Sequence, residues 1–189
     1  MVKYNYFEKL EQLSTLAESA VRLTCDNIPH RDTQDLSNLR RASDRLICEL
    51  EDTLFSDFLP PLERESIAAC AHCLSRVMDQ ASELLSYLAL LPPAARVNEE
   101  GTVCIRLASH IRSSIALLPK IRKPDELPDA QGFRQLLSEG REAHAAMLTK
   151  LHAGVLPRSS AQAIILTGRL RSELSHAFDE LVEIMLNNI

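Results

Sequence analysis

The stretch that decides the fold is IAACAHCLSRVMDQASELLSYLALL, from Ile67 to Leu91. Within it Ile67, Cys70, Leu74, Val77, Ala81, Leu84, Leu88 and Leu91 follow one another in steps of three and four. That rhythm places all eight side chains on one stripe of an α-helix, and a seam of this length needs a long antiparallel partner to cover it. Glu63 and Glu65 precede the seam and suit the positive end of a helix dipole. Pro60-Pro61 before it and Pro92-Pro93 after it stop the helix at both ends.

Working outward, the same 3.6-residue period recurs along almost the whole chain. Before the seam, one helix is predicted over about Tyr4 to Asn27, with Leu10, Leu13, Ala17, Ala20 and Thr24 on its stripe and Pro29 as its stop. A second carries Leu36, Leu39, Leu46, Ile47, Leu50 and Leu54, with Thr33 or Asp35 as its cap. After the seam, a fourth helix spans about Glu99 to Leu118, ended by Pro119. A polar loop, Lys120 to Pro128, follows. The fifth runs about Asp129 to His152, with Gly154 and Pro157 closing it, and the sixth about Ser159 to Asn187, with Leu170, Leu174, Ala177, Leu181 and Met185 in its seam. The expectation is an all-α protein of six helices.

Composition agrees. Five glycines, no Trp and few aromatics do not suit an all-β fold, and 189 residues can bury a core without metal or disulfide staples. A net charge of −5 gives no long-range pull toward nucleic acid. No stretch approaches the roughly 20 apolar residues of a membrane helix, and Met1 to Glu8 lacks the apolar core of a signal peptide. The five cysteines read as reduced, buried, small hydrophobes, which points to the cytoplasm.

The two halves look like a repeat, residues 1–93 and 94–189 within one domain. Asp44 precedes Asp79 by 35 residues, His144 precedes Asp179 by 35, and the two pairs are offset by 100. Each pair straddles a helix-breaking turn, so an antiparallel hairpin brings its members to one height.

Together with the run Phe55-Ser56-Asp57-Phe58-Leu59-Pro60-Pro61-Leu62-Glu63-Arg64-Glu65-Ser66-Ile67, this layout resembles the PhoU-like family, in particular its branch of phosphate-transport regulators. The resemblance implies a PhoU-like six-helix bundle of two repeated three-helix units. It implies an accessory protein, not an enzyme, that docks on the cytoplasmic face of an inorganic phosphate transporter of the Pit type. Such a protein lies in the cytoplasm or against the inner face of the membrane. A homodimer is a further expectation, since long amphipathic helices offer a second apolar face, and Met78 and Leu85, beside the main seam, are candidates for extra burial. The family motif, E/D-x-x-x-D on both halves, puts paired carboxylates one turn apart and implies a divalent metal or iron. Its final positions here are Asp44, Asp79, His144 and Asp179, the candidate metal ligands. Its leading positions are Arg40, Ser75, Gly140 and Ser175, none of them acidic. The plainer reading of the same four residues is a solvated helix surface.

Other constellations carry less. Cys70-Ala71-His72-Cys73 is a C-x-x-C, but it sits on the heptad seam with no strand before it, so core cysteines are expected. Glu173-Leu174-Ser175-His176 is a single Glu-x-x-His, where a ferritin-like enzyme needs two copies and two further Glu. The basic clusters Arg40, Arg41, Arg45 and Lys120, Arg122, Lys123 have acidic neighbours and read as solvated helix faces. A helical adaptor without any link to phosphate remains the alternative reading.

Overall fold

The computed structural model describes residues 5–26, 33–57, 60, 62–92, 99–121 and 123–187. Pro29, Pro61, Pro93, Arg122 and the Phe58-Leu59 pair lie outside the described residues. The elements are α1 (Tyr6–Cys25), α2 (Thr33–Ser56), α3 (Arg64–Ala89), α4 (Glu99–Ile115), a 3-10 turn (Pro124–Glu126), α5 (Ala130–His152) and α6 (Ser160–Asn187). Among the described residues there is no strand. Local chemistry sets several ends. The Asn5 side chain accepts from the Glu8 N–H at 3.2 Å, and Asp129 accepts from the Gly132 N–H at 2.8 Å. At the end of α5, Gly154 takes φ 72°, which lets the N–H groups of Gly154 and Val155 turn back onto Leu151 and Lys150. α4 ends three residues earlier than expected, and Leu117, Leu118 and Lys120 continue it as single hydrogen-bonded turns.

α1, α3, α6 and α4 pack in a ring. α2 lies outside against α1 and α3, and α5 lies outside against α4 and α6. This pattern of helix contacts is the same when the two halves are exchanged. The stripes read from the sequence on α1, α3 and α6 are all buried, and one apolar cluster runs through both halves. Met78 and Leu85 are 2 % and 0 % exposed inside this core. The reason is that α3 packs against α1, α2 and α6, so it needs a wider apolar face than a two-helix seam. The extra burial expected of these two residues is met within the chain's own core.

Four of the five cysteines are buried and Cys48 is exposed. Burial pushes the Cys70 thiol up to about 12, and the Arg76 guanidinium donates to Cys73 Sγ at 3.1 Å. Cys70 and Cys73 are core residues, as the seam predicted. The α1–α4 contact holds a polar network. Glu18, 7 % exposed, accepts from Ser109 Oγ at 2.7 Å and meets Arg22 at 2.7 Å and Arg112 at 2.5 Å. Burial by itself would raise its pKa, but the Ser109 hydroxyl and the two guanidiniums outweigh it and hold the carboxyl below its ordinary 4.5. The stability this lowered value confers is complete above the ordinary value and is lost as pH falls through the folded one. We expect the melting-temperature difference between wild type and Glu18→Gln to hold level from pH 7 to about 5 and to shrink only as pH falls below the ordinary value of 4.5. A difference that does not shrink below that value would sink the assignment.

Candidate functional site

The four candidate ligands do not come together. Asp44 on α2 and Asp179 on α6 are exposed. Asp79 on α3 is held by Arg40, Nη2 to Oδ1 2.6 Å. His144 on α5 turns to a carboxylate that the sequence reading missed, with its Nδ1 2.8 Å from Glu100 Oε2. Glu100 lies in the first turn of α4 and is 0 % exposed. Its other oxygen, Oε1, accepts from Arg171 Nε on α6 at 2.8 Å. One buried carboxylate therefore ties α5 and α6 to α4.

Two glycines make room for this triad. A Cβ on Gly140 would lie 2.6 Å from Arg171 Cδ, and one on Gly168 would lie 2.8 Å from His144 Cε1. Both glycines stand inside helices, where each gives up about 1 kcal/mol of helix propensity relative to alanine. Gly140 is also a leading position of the acidic motif, and the Arg171 side chain runs through the space that a carboxylate there would need. We expect Gly140→Ala to destabilise the protein by about 1 kcal/mol, because overpacking of about 1–3 kcal/mol exceeds the propensity gain. In an Arg171→Ala background that penalty should vanish. A urea-denaturation double-mutant cycle checks this, and additive effects would refute the steric argument.

The donor set does not fit a metal cluster. Among the described residues no three His, Cys, Asp or Glu side chains gather as a metal centre requires. In both repeats the carboxylate near the motif already has a guanidinium on it: Arg40 on Asp79, and Arg171 on Glu100. A second cation beside either guanidinium would be repelled. Glu173 of the Glu-x-x-His pattern is likewise taken, by Arg76 Nε at 3.1 Å, and His176 is exposed.

A signal for Glu100 was present in the sequence. It shares a helical stripe with Val103, Cys104, Leu107 and Ile111, all of them buried. An acid on an apolar stripe must find a cation or a donor. Arg171 has no such marker, because nothing in its own helix says that its neighbour is a buried carboxylate 71 residues away.

No protein-family model matches this sequence, and no curated protein matches it. Solved structures do match. One is a PhoU-like protein from Shewanella oneidensis MR-1, 16% identical, with 96% of each chain covered and a TM-score of 0.71. Another, from the same organism and described as a PhoU-like phosphate regulatory protein, is 16% identical over 96% of each chain with a TM-score of 0.65. With nearly the full length of each chain superposed, the chain folds as the PhoU-like proteins do, as an all-α bundle of six helices.

Proposed function

We propose that this protein regulates inorganic phosphate transport, as a non-enzymatic accessory protein that docks on the cytoplasmic face of a Pit-type membrane transporter. The observation that carries this reading is the full-length likeness in fold to PhoU-like proteins, one of them described as a phosphate regulatory protein. Two features support it. Among the described residues no helix is long and apolar enough to cross a membrane, so contact with a transporter would be made from outside the bilayer. The ring of four helices with α2 and α5 laid outside gives a stiff helical surface, suited to holding one transporter conformation in preference to another. Regulation of this kind requires only a difference in affinity between two transporter states.

The test is phosphate uptake. Cells lacking this protein should take up radiolabelled phosphate at an altered initial rate, restored by a plasmid-borne copy. The purified protein should also sediment with membranes that contain the transporter and not with membranes that lack it. Unchanged uptake together with no selective sedimentation would leave a helical adaptor of another system as the better reading.

A further inference from the structure

α5 and α6 border an open groove of about 520 Å³. Its polar lining is Arg141, His144, Arg169, Arg171, Ser172 and Ser175, with no carboxylate among the lining residues. Arg141 and Arg169 are exposed and form no ion pair among the described residues. Two guanidiniums therefore face the groove with their charge uncompensated. Arg171 adds a third guanidinium, its charge matched by Glu100. It is tied to Glu100 through Nε, so its Nη groups remain for the groove, and its side chain is only 16% exposed. His144 is oriented in the same way, through Nδ1 to Glu100, which leaves Nε2.

We propose that this groove binds a phosphate-class oxyanion, free or as the phosphoryl group of a small molecule. Guanidinium forks and serine hydroxyls together supply the several convergent N–H and O–H donors that a tetrahedral dianion accepts. The site is built, not a chance cluster of surface arginines. A fully buried carboxylate fixes two of its members, and the glycines at 140 and 168 are what let those members lie where they do. The repeat provides an internal comparison. One hundred residues earlier, Arg141 corresponds to Arg41, but Arg169, Arg171 and His144 correspond to Ala69, Ala71 and Asp44, so the first half keeps one of the three arginines. Most of the lining is a property of the second repeat and does not follow from the fold. The volume lies inside the range of about 300–1,000 Å³ typical of small-molecule sites, which leaves room for an organic portion beside the anion. Ile165, 46% exposed, offers that portion an apolar contact.

This inference stands on the groove and does not rest on the regulatory reading, so either can fail without the other. The experiment is isothermal titration of the full chain with orthophosphate and, separately, adenosine 5′-monophosphate, at ionic strength held constant with sodium chloride. Saturable binding is expected, weakened about tenfold or more in Arg141→Ala/Arg169→Ala by loss of charge-assisted hydrogen bonds. Arg158→Ala, an exposed arginine outside the groove, should leave it unchanged. Both groove arginines are exposed and unpaired, so the double variant should keep the wild-type melting temperature. Orthophosphate binding at least as tightly as the nucleotide identifies free phosphate as the ligand, and tighter nucleotide binding identifies a phosphorylated small molecule. No saturable heat with either probe, or equal affinity in wild type and the double variant, would overturn the proposal.

Discussion

Glu100→Ala is expected to lower the stability of the folded chain by about 3–5 kcal/mol, the usual cost of removing one partner from a buried charge network. Glu100 is fully buried, while Arg171 and His144 have side chains 16% and 24% exposed. Without the carboxylate, the guanidinium stays beside Gly140 with its charge unmatched, and the imidazole loses its hydrogen-bond partner. The cost is this orphaning and not the worth of the pair itself, since a buried ion pair often contributes little against a well-packed apolar substitute. Glu100→Gln separates the two. The amide keeps the shape and can still accept a hydrogen bond, so a smaller loss of about 1–3 kcal/mol is expected. For a chain of this length the alanine variant should melt about 6–20 °C lower. A drop under 2 °C would mean that Arg171 and His144 swing into solvent at no cost, and that Glu100 does not organise the α5–α6 groove.

The placement of that network shows where sequence reading reaches and where it stops. The seam from Ile67 to Leu88 became α3, with Leu91 just past its end and every seam residue buried, because a three-four rhythm of apolar side chains is itself the physical condition for a helix that packs. The start of α5 near Asp129 and its stop at Gly154 were legible for a similar reason: each follows a local rule, and the fold obeys it. Pairings between distant polar groups are not local. Glu18 could be placed on the buried stripe of α1, but not assigned to Ser109 and Arg112 on α4, since helix phase gives the direction of a side chain and not what stands opposite. The motif positions show the same limit. Spacing put Asp44 level with Asp79, yet Asp79 turned to Arg40, the leading residue of the Asp44 motif, and Asp44 stayed exposed. A cation already present in the chain can occupy a carboxylate that spacing alone would assign to a metal.

Phe133→Ala should also cost about 3–5 kcal/mol, and the loss should be uneven along the chain. Phe133, in the first turn of α5, is 1% exposed. Its ring stacks on Phe178 of α6 with centroids 3.8 Å apart and planes 13° apart, and His110 of α4 lies 5.4 Å from each. One side chain thus joins the three helices of the second repeat. Besides this ring and the His144–Glu100 contact, α5 buries few side chains. Five of its residues are buried (Phe133, Leu136, Leu137, Gly140 and Met147), and one is a glycine, whereas α3 buries eleven. Removing the ring deletes the largest apolar anchor of the outer helix, while the contact between α3 and α6 stays intact. Amide hydrogen exchange should therefore show protection falling first across α5, with α3 little changed until the global unfolding limit is reached. Phe133→Leu, which keeps most of the volume, should lose less than half as much, about 1.5 kcal/mol or under. If protection instead falls equally in α3 and α5, the two repeats unfold as one unit and the aromatic stack has no local role. If it falls in α5 alone, the groove between α5 and α6 rests on the least stable helix of the bundle, and a ligand bound there would stabilise that helix before any other.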